Sequence, residues 1–140
     1  MNKQFISKKN IHIPDILYFV LSAAFLLGSV FVFNTCGPKD DGSWMVCHWA
    51  GRMVSAMAIL LTVLALQIVL FPSEIKAGLY TACFGVSVLT AFIPGHIIKL
   101  CMMKTMRCHL ISEPSVIVCS VVLAVYSLVR VILLLRKKGE

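Results

Sequence analysis

The chain has 140 residues, 59% of them hydrophobic, and a mean hydropathy of +0.92, which is more apolar surface than a soluble domain of this length can bury. It reads as an integral membrane protein, and its net charge of +7 fits anchoring beside anionic lipid without calling for a nucleic-acid partner. The long, unbroken apolar runs also exclude a membrane β-barrel, whose strands are short and alternate polar with apolar residues.

Four runs are free enough of charge to cross roughly 30 Å of hydrocarbon at about 1.5 Å per helical residue. They lie near 16–33, 50–71, 75–98 and 115–135. The expected fold is all-α, a polytopic four-helix bundle occupying 1–140 as a single transmembrane domain embedded in the lipid bilayer. Lys3, Lys8 and Lys9 ahead of the first run imitate a signal peptide. That run is too long for one, and no Ala-x-Ala-like cleavage site follows, so it is read as a retained span.

The first connection holds Cys36-Gly37-Pro38, a turn at Asp40-Asp41-Gly42-Ser43, and then Trp44-Met45-Val46-Cys47-His48-Trp49. Trp44 and Trp49 suit the headgroup boundary, and His48 and Arg52, four apart, share one face of the second helix. Arg52 is read as snorkelling to the headgroups. In the third run Pro94-Gly95 should break the helix, leaving 96–100 as an interfacial segment leading to Cys101. A second tetrad, Met106-Arg107-Cys108-His109, repeats the Met-x-Cys-His of residues 45–48, and Ser112-Glu113-Pro114 has the form of a helix start. Both tetrads stand at the start of an even-numbered span. Such placement fits two pseudo-repeated helix hairpins.

An even number of spans puts both termini on one side. Lys3, Lys8, Lys9, Lys76, Arg130, Arg136, Lys137 and Lys138 fall there, against Lys39, Arg52, Lys99, Lys104 and Arg107. This bias favours cytoplasmic termini and places the cysteine loops outside the cell. On that oxidising face Cys36, Cys47, Cys101 and Cys108 form a candidate disulfide or redox set whose connectivity stays open among three pairings. Cys83 and Cys119, within spans, are read as packing residues. Met45, His48, Trp49, Arg52, Met106 and His109 are the candidate binding residues of the rim. Asp15, Arg52 and Arg130 lie near span ends, so no midplane ion relay is expected.

Two chemical alternatives use the same rim. Cysteine, methionine and histidine are ligands that cuprous copper prefers, so Cys47, His48, Cys108 and His109 are metal candidates, although their spacing matches no zinc or haem pattern. The architecture also resembles the quinone-coupled disulfide-generating proteins of bacteria and the vitamin K epoxide reductase family, which would imply a thiol–disulfide oxidoreductase. Those families present a Cys-x-x-Cys pair, and none exists here. Copper or quinone therefore enters as a cofactor only under these alternatives.

Cys36-Gly37-Pro38, Met45-Val46-Cys47-His48-Trp49, Cys101 and Thr105-Met106-Arg107-Cys108 together resemble an uncharacterised family of small four-span bacterial membrane proteins. Members are often encoded beside MacB-like or FtsX-like ABC transporter components. The resemblance implies a binding or accessory subunit of a membrane complex, with an ABC transporter permease or another membrane subunit as partner, rather than an enzyme. A disulfide-braced extracytoplasmic rim completes that expectation.

Overall fold

A computed structural model describes residues 13–32, 38–44, 46–94, 96–98 and 108–139, with Val32, Cys108 and His109 described by their backbone alone. Four helices form a bundle: α1 (Ile13–Leu27), α2 (Val46–Leu70), α3 (Ser73–Phe92) and α4 (Glu113–Gly139). Each is long and apolar enough to cross a membrane, α1 together with the π turn that carries it on to Phe31. Among the described residues there is no strand, only an isolated bridge between Pro94 and Ile98. The packing is most extensive between α3 and α4, then between α1 and α2, whereas α1 and α4 touch sparsely.

The helix ends follow from local chemistry. Leu70 and Ser73 are separated by Phe71 and Pro72 alone, and Pro72, at φ −68° and ψ 161°, cannot continue α2. Its carbonyl accepts from Ile75 N at 3.2 Å, which opens α3. Pro94 lacks the N–H that would extend α3, so the helix stops at Phe92 and the chain closes through Ile97 N to Phe92 O at 3.2 Å. The apolar run therefore outlasts the helix, because apolarity extends to Ile98 and helical hydrogen bonding does not. Two π turns, Gly28–Val32 and Cys108–Ser112, extend α1 at its end and α4 at its start. The second tetrad's Cys108 and His109 consequently lie on helical backbone, where a polar loop had been expected.

Most large aliphatic residues face outward, as lipid contact requires, and the buried stripes are narrow. On α2 the buried stripe is Ala50, Val54, Ala58, Leu61, Ala65 and Ile68, in which alanine recurs where neighbouring helices come close. The interior also holds polar groups: Asp15, Ser22, Lys76, Ser87, Thr90, Ser120 and Ser127 are all buried. Small side chains at four-residue spacing divide in use. Ser120 and Ala124 are buried, Gly51 and Ser55 are half-buried, and Gly78 and Ala82 face outward.

Candidate functional site

The rim end of the bundle begins with a tight turn. Gly42 adopts φ +73°, a conformation that favours glycine, and donates to Lys39 O at 2.8 Å, while Lys39 N donates to Ser43 O at 3.0 Å. The turn leads Trp44 onto His48, with stacked rings 4.2 Å apart, and Trp49 meets His48 edge-on at 6.0 Å. Trp44, Trp49 and Arg52 are exposed, and His48 is half-buried. Cys47, on the first turn of α2, is fully buried. Cys36, Met45, Cys101 and Met106 lie outside the described residues, as do the side chains of Cys108 and His109. Among the described residues no three His, Cys, Asp or Glu side chains converge in the manner of a metal site. The rim that is described is thus an aromatic, histidine and arginine surface at the start of α2.

The opposite end holds the cluster that sequence reasoning missed. Asp15, fully buried on the first turn of α1, accepts from Lys76 Nζ of α3 at Oδ2. Its Oδ1 accepts from Tyr80 Oη at 2.7 Å and from Arg130 Nη2 of α4 at 3.1 Å. The Arg130 guanidinium also lies over the Tyr80 ring, 5.6 Å from its centroid. The chain's three tyrosines all gather here. Tyr18 meets Tyr80 edge-on at 5.5 Å and stacks on Tyr126 at 5.5 Å. Tyr126 Oη donates to Pro14 O at 2.8 Å. Ser127 Oγ lies 2.8 Å from Leu123 O and 3.0 Å from Tyr18 Oη. A hydroxyl carries one proton, and the carbonyl can only accept, so Tyr18 is the donor to Ser127.

This arrangement corrects the reading of Lys76 as a flanking anchor. Its exposure is 2%, and it points into the bundle. Arg130 likewise sits inside α4, about two helical turns before the exposed Arg136, Lys137 and Lys138 of the last turn. Ionisable groups inside membrane spans are costly and are kept where they pair. The signal was present in the sequence: Asp15 and Tyr18, Lys76 and Tyr80, and Tyr126 and Arg130 each place a charge three or four residues from a tyrosine on one helix face. Which faces would meet was not legible, because Asp15 and Arg130 are 115 residues apart in the chain.

The energetics identify what the cluster does. Each hydrogen bond to a charged group contributes about 1.5–3 kcal/mol, and each buried ion costs several kcal/mol to desolvate, so the terms nearly cancel. What survives the cancellation is geometry: α1, α3 and α4 are held in one register because any other leaves a buried charge without its partner. Arg130 retains an unused donor, since its Nε is buried without a hydrogen-bond partner among the described residues. Ser87 and Ser120 Oγ, on the buried stripes of α3 and α4, are likewise unpartnered.

These features define a class, a four-span helical membrane protein pinned at one end by a buried ion and tyrosine cluster. Residues 18–133 match DUF4418, a domain of unknown function, and the chain belongs to that family. No curated protein and no solved structure matches it.

Proposed function

We propose that the protein is a binding or accessory subunit of a larger membrane complex. The observation that carries this reading is the outer face of α3. Ile75, Gly78, Ala82, Gly85, Leu89 and Phe92 recur at alternating three- and four-residue spacing, and all are exposed. A Cβ placed on Gly78 or Gly85 meets nothing within 4 Å. The stripe is therefore shallow in the middle and bulky at its ends. In lipid, where apolar burial gives helices little drive to associate, such a small-residue groove is the kind of surface against which another helix packs closely.

The partner class is that implied by the sequence resemblance, an ABC transporter permease or a comparable membrane subunit. The aromatic rim at Trp44, His48, Trp49 and Arg52 supplies a second contact on the same reading. A disulfide brace among Cys36, Cys47, Cys101 and Cys108 belongs to this proposal as the element that holds the rim's loops.

Purification of the full chain from native membranes in mild detergent tests it. A membrane partner in fixed stoichiometry is expected, and G78L or G85L should release that partner without lowering the bundle's thermal midpoint, because both positions face outward and a Cβ there meets nothing within 4 Å. A wild-type chain that leaves native membranes as a monomer without a stoichiometric companion overturns the proposal. So does partner retention in both glycine variants.

A further inference from the structure

The inner face of α3 is polar from end to end. Its buried residues, Lys76, Tyr80, Cys83, Ser87 and Thr90, all carry a charge, a hydroxyl or a thiol, at helical spacings of three and four. Polar groups within a membrane span face a bundle interior or a water-filled space. Here they meet Asp15, Tyr18 and Ser22 on α1 and Ser120 and Ser127 on α4, which are also fully buried. Tyr18 Oη fixes the register: it bonds Ser127 Oγ at 3.0 Å, and Cys83 and Ser87 face the same hydroxyl, Ser87 without a hydrogen bond to it.

Two hydroxyls in this column break a pattern. Ser22, Ser55, Thr62, Thr81, Thr90 and Ser127 each lie within hydrogen-bond distance of a carbonyl three or four residues back on their own helix. Ser87 and Ser120 do not, and their Oγ atoms are buried without a hydrogen-bond partner among the described residues. Leaving a buried hydroxyl unpaired costs more than immobilising a water that pairs it.

We propose that Ser87 and Ser120 hold internal water, a short file of molecules between α3 and α4 that reaches the Tyr18 hydroxyl. Ser120 stands two turns of α4, about 10 Å, nearer the rim than Ser127, whereas Ser87 faces the tyrosine that Ser127 bonds. The two serines are thus offset along the bundle, and water rather than a direct bond is what joins them. Acceptors for its hydrogens are at hand, since Thr90 and Ser22 give their own protons to Val86 O and Phe19 O and keep their lone pairs. An ion is the weaker occupant. The Asp15 cluster at the end of the column sets one carboxylate against two cations, which repels a metal cation, and a few hydroxyls do not replace the hydration shell of an anion.

X-ray radiolytic footprinting of the full chain in nanodiscs tests this, because water held inside a protein yields hydroxyl radicals that oxidise the side chains beside it. The two thiols within the spans provide the contrast. Cys83 is fully buried in the polar column, whereas Cys119 is half-buried and lines an apolar groove between α1 and α4 with Leu21, Phe25, Val122 and Leu123. Exposure ranks Cys119 above Cys83, and the water file reverses that order. Cys83, together with Tyr18, should therefore be oxidised faster than Cys119, and S87A/S120A should lose the difference. Faster oxidation of Cys119 in the wild type overturns the proposal, as does an unchanged ranking in the double variant. If the double variant fails to fold, the wild-type ranking decides the matter.

Discussion

Asp15 is the residue on which the termini end of the bundle depends. Replacing it with asparagine keeps the size of the side chain but leaves Lys76 and Arg130 buried without their shared carboxylate, a change that costs about 3–5 kcal/mol for a buried pair. D15N should therefore sharply lower the thermal midpoint in detergent. Removing the Lys76 charge as well, in D15N/K76M, should restore part of the loss, since it deletes one of the stranded cations; thermal denaturation of the two variants side by side reads the coupling. By contrast Y126F removes a single hydrogen bond to Pro14 O, and the expected loss is about 0.5–1.5 kcal/mol in the same assay. A double variant that is no more stable than D15N would show that Lys76 is held by other contacts.

At the scale of the helix, α2 packs through alanines, and their small size is what permits the approach. Ala58 and Ala65 are fully buried, whereas Leu66 between neighbouring turns is 45% exposed to the membrane. Overpacking a close helix contact costs about 1–3 kcal/mol, so A58L and A65L should each lower the midpoint measurably. L66A, on the lipid side, should leave it nearly unchanged. The positions of the helices were readable because apolar runs and prolines act locally. Pro72 and Pro94 mark the start and the end of α3, and each does so through the hydrogen bond it cannot make. Helix faces were less readable. Gly78/Ala82 and Ser120/Ala124 have the same spacing, yet one pair faces outward and the other inward. Spacing shows that two residues share a face and says nothing of what that face meets.

Across the whole molecule, the two ends of the bundle differ in chemistry. The rim end displays Trp44, His48, Trp49 and Arg52, and the end bearing the termini buries its charges and leaves the basic last turn of α4 exposed. Single cysteines at Lys39 and Lys138 should accordingly label with a membrane-impermeant maleimide from opposite faces, Lys39 in intact cells and Lys138 only after lysis. Labelling of both from one face would break the topology read from the basic residues. Alkylation mass spectrometry of protein prepared without reductant should find Cys36, Cys47, Cys101 and Cys108 protected and Cys83 and Cys119 as thiols. Full alkylation of all six before reduction would remove the disulfide brace.

The amino-acid sequence alone determined that this is a helical membrane protein with four spans, because hydropathy and helical rise depend on residues close together in the chain. It also placed an aromatic and histidine surface at the entry to α2, since residues 44–52 act within a few turns of one another. Only the tertiary structure decided that Asp15, Lys76, Tyr80 and Arg130 share one buried site, and that Lys76 is an interior partner rather than a surface anchor. The same holds for the groove between α1 and α4. The reason is physical: a charge near the end of an apolar run satisfies local rules equally well facing headgroups or facing the bundle. The choice is made by the complementary charges that the other helices bring to the same depth.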